Sequence, residues 1–364
     1  MEERNLNNHI TIREARTQAD VRRFWAELGA YHARDILPGD EDREDLIYFQ
    51  GEEYRGQIEA LRERERDRLH FLFFRRGEEE IGFAMPVIYD REDGKCFLLE
   101  FCVYPQFRGN GTGRACAAAL LAWARERGMA YAELNYGGDP RRLRFWQRLG
   151  FRPNGADEWG EPLLLLPPEE DVPLRAERLT EPDWQLFRLE NSFRRAVGEE
   201  PLTEEEKNTL SAAVQAGRIA FFTVKRRTRC VGLCSVSVCF STFACGQAGS
   251  FEDFYLEPCF RGKGGARLLV DAANAWCREA GIASLTVTCA PCDEGLYQAL
   301  GFGTPPWAVP SPTLRSVESP LSSHHTKSER REPPCISGSI STPSIITGGW
   351  SAGTASAWGS TGRA

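Results

Sequence analysis

Short apolar runs separated by polar turns mark out strands at residues 70–75, 80–89 and 96–104. They are followed by a helical period at 113–127 that Gly128 stops, and by a further apolar run at 130–135. The same order returns downstream. Apolar runs at 219–225, 230–240 and 250–256 precede a helical period at 266–280 with Gly281 as its stop, then a run at 283–288. Both halves also open alike. Alternation at 10–13 leads into helical periodicity from 18 to about 37 and a charge-rich helix over 45–66. In the second half a strand at 172–177 leads into a helix at 182–197, and Thr203-Glu-Glu-Glu206 predicts the capping box of another.

The repeat is closest at one glycine-rich turn. Phe107-Arg-Gly-Asn-Gly-Thr-Gly113 matches Phe260-Arg-Gly-Lys-Gly-Gly-Ala266, each between an apolar run and a helical run. Smaller details recur: Ala122-Trp-Ala-Arg-Glu126 against Ala275-Trp-Cys-Arg-Glu279, and Leu149-Gly-Phe151 against Leu300-Gly-Phe302. A glycine turn that opens a helix leaves backbone N–H groups pointing at one spot, where the helix N-terminus adds partial positive charge. It suits a phosphate or pyrophosphate. Neither turn has the third glycine of a dinucleotide fingerprint, and neither ends in Gly-Lys-Ser or Gly-Lys-Thr.

These patterns predict two domains, 1–168 and 172–303, joined at Pro167-Pro-Glu-Glu-Asp171. In the first, a strand at 162–166 closes the domain after Leu-Gly-Phe. In the second that strand is missing, because the segment 304–364 turns abruptly to Ser, Thr, Pro and Gly with no helical period. It reads as a disordered tail, either native or the product of a reading-frame slip.

With 41% hydrophobic and 27% charged residues, 364 residues suffice for two ordinary cores. The net charge of -7 disfavours nucleic acid and attracts cationic small molecules. Without an apolar leader or a run near ~18 apolar residues, no membrane association is expected and a cytoplasmic location is the default. The twelve cysteines then read as reduced thiols. Cys230, Cys234, Cys239 and Cys245 lack the flanks of a zinc knuckle, and Cys289-Ala-Pro-Cys292 lacks those of a thioredoxin turn. No metal is expected, and buried small hydrophobes are the better reading.

Taken together, the duplicated turn, its preceding strand, its following helix and the terminal Leu-Gly-Phe resemble the GNAT superfamily of acetyl-coenzyme A dependent N-acetyltransferases, in tandem. The family signature of Arg or Gln, two residues, Gly, one residue, Gly or Ala is met by Arg108, Gly111 and Gly113 and by Arg261, Gly264 and Ala266. The resemblance implies an α/β fold of two GNAT-like domains, each a mixed, mostly antiparallel sheet flanked by helices. It implies acetyl-CoA as co-substrate and a small-molecule amine or peptide amine as acceptor. Coenzyme would be held by Val103, Arg108, Gly109, Asn110, Gly111, Thr112 and Gly113, and by Leu256, Arg261, Gly262, Lys263, Gly264, Gly265 and Ala266.

The resemblance also implies where the chemistry sits. The family's usual acid is a tyrosine four residues before the last glycine; Tyr297 occupies that place in the second half and Trp146 in the first. An indole cannot deliver a proton, so the second half is expected to carry the reaction. Candidate bases are Glu252 and Asp253, in a strand like that of polyamine-acetylating members, and Glu100 in the first half. Alternation would send Glu252 and Asp253 to opposite faces, leaving only one toward substrate. A packed aromatic at Tyr297 and ordinary strand-edge carboxylates are the competing readings. An inactive CoA-binding or structural module is the competing function.

Overall fold

The protein is described by a computed structural model over residues 9–39, 43–157, 159–168, 172–242 and 245–303. The expected tail, 304–364, lies outside the described residues, as does the expectation that it is disordered. The first unit runs through β1 (Ile10–Glu14), α1 (Gln18–Tyr31), a π-turn (His32–Ile36), α2 (Arg43–Gln50), α3 (Glu52–Arg62), β2 (Arg68–Leu69), β3 (Leu72–Arg76), β4 (Glu79–Tyr89) and β5 (Lys95–Val103). It continues with α4 (Thr112–Arg125), β6 (Tyr131–Asn135), α5 (Pro140–Gln147), β7 (Arg152–Ala156) and β8 (Pro162–Leu166). The second runs through β9 (Arg175–Leu179), α6 (Trp184–Ala196), α7 (Glu204–Gln215), β10 (Ile219–Arg226), β11 (Arg229–Ser241), β12 (Gly246–Leu256), α8 (Gly265–Glu279), β13 (Leu285–Val287) and α9 (Glu294–Ala299). Each unit is thus a sheet flanked by helices.

Local chemistry accounts for the element ends. Thr17 accepts from the Asp20 amide while Asp20 reaches back to the Thr17 amide, and Thr203 and Glu206 form the predicted capping box. The expected helix over 45–66 is two helices instead, α2 and α3. Gly51 caps the second in extended geometry, where a Cβ would lie 3.1 Å from the Tyr48 carbonyl oxygen.

The first sheet has the order β1-β3-β4-β5-β6-β8-β7, with β2 also on β4; the second has β13-β12-β11-β10-β9. Neighbours are antiparallel except for β5 with β6 and β12 with β13. Each sheet buries both faces. In the first, α4 covers one face through Cys116, Leu120 and Ala124, and α1 with α3 covers the other through Phe24, Leu28, Tyr54 and Ile58. The second repeats this with Leu269, Val270 and Ala273 of α8 and Leu186 and Leu189 of α6.

Two expectations need correction here. The strand at 162–166 does not directly follow Leu-Gly-Phe, because β7 comes first and β8 then inserts between β6 and β7. Arg152-Pro-Asn-Gly-Ala156 has neither alternation nor an apolar run, so nothing in its pattern marks a strand. The expected opening strand of the second half starts at Arg175, three residues later than read.

The two units meet over a buried ion cluster. Arg229 Nε lies 3.0 Å from Glu257 Oε2, and its Nη2 lies 2.7 Å from Glu257 Oε1 and 3.2 Å from Glu133 Oε1. Arg188 adds a second cation on Glu257, so two positive charges face two negative ones. The Arg229 guanidinium also stacks over Tyr131, 4.5 Å from the ring centroid, and the Tyr131 hydroxyl donates to Asp93 at 2.7 Å. Beside it, Asn154 of β7 accepts from the Cys259 amide at 3.3 Å. Tyr131 and Leu165 of the first unit belong to the second unit's core.

Candidate active site

Each sheet splays open at its middle. β5 pairs with β6 only from Lys95 to Phe97, although β5 continues to Val103, and β12 pairs with β13 only from Gly249 to Phe251, although β12 continues to Leu256. The far end of each strand therefore presents backbone groups to a gap. At its tip the chain makes one 3-10 turn and enters the glycine turn and helix: Pro105–Phe107 into α4, Pro258–Phe260 into α8.

Both turns have the geometry of an anion cradle. Gly109 and Gly111 have φ of +90° and +79°, Gly262 and Gly264 have +73° and +86°, and a Cβ at any of the four would meet nothing within 4 Å. The positive φ demands glycine and the empty space leaves room for a ligand. Among the described residues no backbone carbonyl takes the amides of Gly109, Asn110 and Gly111. The turns thus fit a pyrophosphate by N–H supply and by space.

The signature arginines do something other than point at that space. Arg108 Nε donates to the Val103 carbonyl at 2.7 Å and Arg261 Nε to the Leu256 carbonyl at 3.0 Å, so each locks its turn to the end of its own strand. The Arg108 guanidinium also grips Asp35, Nη1 to Oδ1 at 3.0 Å. Although burial opposes it, Arg108 and Arg34 hold the Asp35 carboxyl down at about 2. Arg142 of α5 donates to the Asp35 backbone carbonyl at 3.0 Å. Of the remaining turn residues, Thr112 accepts from Arg76 Nη2 at 2.9 Å, and the Gly113 Cα faces the Phe145 ring. Gly265 and Ala266 begin the helix, Gly265 against Leu256 and Ala266 on the core. Lys263 lies near the Phe260 ring.

Glu100 sits where β5 bulges. Met85 faces Glu100 while Pro86 faces Leu98, so Leu99 is extra, and Leu99 and Glu100 both turn toward the α1 and α3 face. There the His32 Nε2 lies 2.8 Å from Glu100 Oε1. His32 is 1% exposed, and its Nδ1 has no hydrogen-bond partner. The π-turn orients both ends of this arrangement, His32 toward Glu100 and Asp35 toward Arg108, with the Leu37 amide closing on the His32 carbonyl at 2.8 Å. Burial raises the hydroxyl pKa of both Tyr31 and Tyr54 well above the ordinary value, and the Glu100 charge adds to it.

A cleft of about 3000 Å³ runs over this ground. His32, Glu100, Val103, Arg108, Gly109, Asn110, Gly111 and Gly113 all line it, and Trp146 closes one side among Phe101, Phe145 and Phe151. From the second unit Arg188, Tyr255 and Arg261 reach it, but Glu252, Asp253, Tyr297 and the residues 262–266 are not among its lining.

In the second unit Glu252 and Asp253 do not alternate between faces. Asp253 has φ +47°, and β12 slips against β11 between Leu233 and Ser235. This bulge puts Phe251 and Phe254 into one core and leaves Glu252 and Asp253 together on the other face, bonded to Ser237 at 3.0 Å and Ser235 at 2.6 Å. Burial pushes the Asp253 carboxyl up against the Ser235 bond, and Glu252 pushes it further. Opposite stands Glu190 of α6, raised to about 8 by burial and by Asp253, its Oε1 without a partner. Tyr297 is 9% exposed within Phe251, Phe254 and Phe302, and burial, then Cys289 and Asp293, raises it to about 12. Cys230 and Cys234 are buried while Cys239, Cys245 and Cys289 are exposed free thiols, and no metal-holding cluster occurs among the described residues.

His32, Asp35 and Glu190 were not singled out from the sequence. A signal existed for two of them. His32 continues the apolar stripe Val21, Phe24, Trp25, Leu28, and Glu190 stands in the stripe Leu186, Leu189, Phe193; a titratable group at such a position must be buried and paired.

The model of the acetyltransferase (GNAT) family matches twice, at residues 34–151 and 184–302. Among solved structures, an aminoglycoside acetyltransferase from an uncultured soil metagenomic sample, in complex with trehalose, is 18% identical, covering 40% of this chain and 99% of its own at a TM-score of 0.34. A predicted acetyltransferase of Clostridium acetobutylicum with acetyl-CoA is 18% identical, with 37% and 94% coverage and a TM-score of 0.31. Glucosamine-6-phosphate N-acetyltransferase of Arabidopsis thaliana is 16% identical, with 39% and 99% coverage and a TM-score of 0.31. No curated protein matches the chain.

Proposed function

Because the chain belongs to the acetyltransferase (GNAT) family, we propose that its first unit moves an acetyl group from acetyl-CoA to an amine by direct attack, with Glu100 as proton acceptor. The observation that carries this reading is that Glu100, anchored by His32, lines the same cleft as an open-amide glycine turn. The turn would hold the pyrophosphate and the unpaired end of β5 would align the pantetheine arm. The bound ammonium first passes one proton to the Glu100 carboxylate, the freed amine lone pair bonds to the acyl carbon, the carbon–sulfur bond breaks with its electron pair on sulfur, and the second proton of the nitrogen goes to that sulfur or to solvent. A thiol pKa near ~8.5 makes the thiolate a competent leaving group, so Trp146 in place of tyrosine is no obstacle.

The second unit reads best as a coenzyme-binding or structural half. Its turn keeps the cradle, but Tyr297, Glu252 and Asp253 lie off the cleft. Thiol release measured with an amine panel tests the assignment. Glu100→Gln should lower turnover by about 10²-fold, and Tyr297→Phe and Asp253→Asn by less than about 3-fold. Loss in the second-unit variants with Glu100→Gln unaffected would reverse the roles of the two units.

A further inference from the structure

From Glu100 the cleft continues as a groove along α3, and resting on the reading that Glu100 marks the reaction centre, we infer that the acceptor is a primary amine carried on an apolar aryl or alkyl skeleton. Its walls are Phe49, Tyr54, Ile58 and Leu61 on the helical side and Leu99 on the strand side, all lining the cleft. Around the inner end the aromatic rings close on His32: Phe49 lies 5.2 Å and Tyr54 6.4 Å from it by ring centroids, and Phe49 and Tyr54 meet edge to face at 4.9 Å. Along this stretch of α3 the uncharged polar groups lining the groove are the Tyr54 hydroxyl and the amide of Gln57, whose Oε1 already accepts from the Tyr48 hydroxyl at 3.3 Å.

Each part of such a ligand has a matching surface. An ammonium would meet the Glu100 carboxylate with aromatic faces beside it, which favours a cation. The skeleton would then lie against aliphatic and aromatic walls. Tyr54 to Leu61 spans seven residues of helix, about 10 Å, the length of a phenylalkyl amine. Beyond Leu61 the groove opens to charged residues, Arg64 and Asp67, which bounds the apolar part. A sugar amine would bring several hydroxyls to walls that offer few polar groups, the Tyr54 hydroxyl and the Gln57 amide, and a polyamine would bring a second ammonium to a stretch with no second carboxylate among the described residues until that rim.

The test uses the full chain with 2-phenylethylamine, hexylamine, glucosamine and spermidine, reading both calorimetric binding and acetyl transfer. The expected result is a kcat/KM for 2-phenylethylamine at least ~10-fold above those for glucosamine and spermidine. Phe49→Ala should raise the KM for 2-phenylethylamine by about 10-fold and leave acetyl-CoA affinity unchanged, with Phe49→Leu recovering most of the loss. Gln57→Glu, which adds a carboxylate midway, should shift preference toward spermidine. Preference for glucosamine or spermidine in the unaltered protein, or a Phe49→Ala variant with unchanged KM, would overturn the inference while leaving acetyl transfer standing. Binding of 2-phenylethylamine that depends on Phe49 without any transfer would support the inference and sink the proposed function instead.

Discussion

Replacing Arg229 by methionine should be among the most damaging single changes in the molecule. Methionine nearly fills the volume but removes a cation that is 1% exposed and bonds Glu257 twice and Glu133 once. Glu257 would keep Arg188, whereas Glu133 would lose its partner from the second unit. Breaking a buried pair from one side costs about 3–5 kcal/mol, because the remaining charge stays desolvated. Urea unfolding at pH 7 followed by tryptophan fluorescence should show that loss, and adding Glu133→Gln on the methionine background should recover part of it. The penalty should depend on pH in a defined sense. Burial opposes ionisation of Glu257, yet Arg229 and Arg188 hold its carboxyl below the ordinary value. A depressed carboxyl contributes stability that is full above the unfolded pKa, near ~4.3, and is lost as pH falls through the folded value, so the gap between variant and parent should narrow below about pH 4. A loss under about 1 kcal/mol at pH 7, or no recovery on adding Glu133→Gln, would refute the claim that this cluster holds the units together.

Gly111→Val should abolish coenzyme binding at the first turn in calorimetry, because φ of +79° disfavours any β-branched residue and the side chain would occupy the open space; affinity unchanged would rule out the cradle. Asp35→Asn should raise the KM for acetyl-CoA by about 5-fold with kcat nearly unchanged, since Arg108 loses its carboxylate partner but keeps the Val103 carbonyl. Glu190→Gln should remove one defined part of the pH dependence of stability. With the folded pKa raised to about 8, the parent loses stability as pH rises from the unfolded value to about 8, by on the order of 5 kcal/mol, and the variant's unfolding free energy should lack that share of the decline over the same window.

Sequence pattern and structure part at the site where the backbone is irregular. Glu100, Gly109 and Gly111 lie on one cleft because a strand end and a turn are covalently continuous, and continuity is visible in a sequence. Glu252 and Asp253 defeated a sound alternation rule because one residue with φ +47° inserts a bulge, and neither residue type nor spacing marks it. Tyr297 matches its place in the motif, yet its ring is enclosed by Phe251, Phe254 and Phe302, so motif position and access to the cleft are different properties.

By itself the sequence determined the duplication, most of the strand and helix order and the two glycine turns, because each follows from periodicity and from the backbone angles particular residues allow, and it was the resemblance carried by those features that implied the chemistry. Tertiary structure alone decided the pairings between residues far apart in the chain: His32 with Glu100, Asp35 with Arg108, and Arg229 with Glu133 across the units. A buried charge must find a partner, but which one is set by how strands bulge, how a π-turn rotates a helix end and how two sheets meet. Those choices belong to the packed chain as a whole.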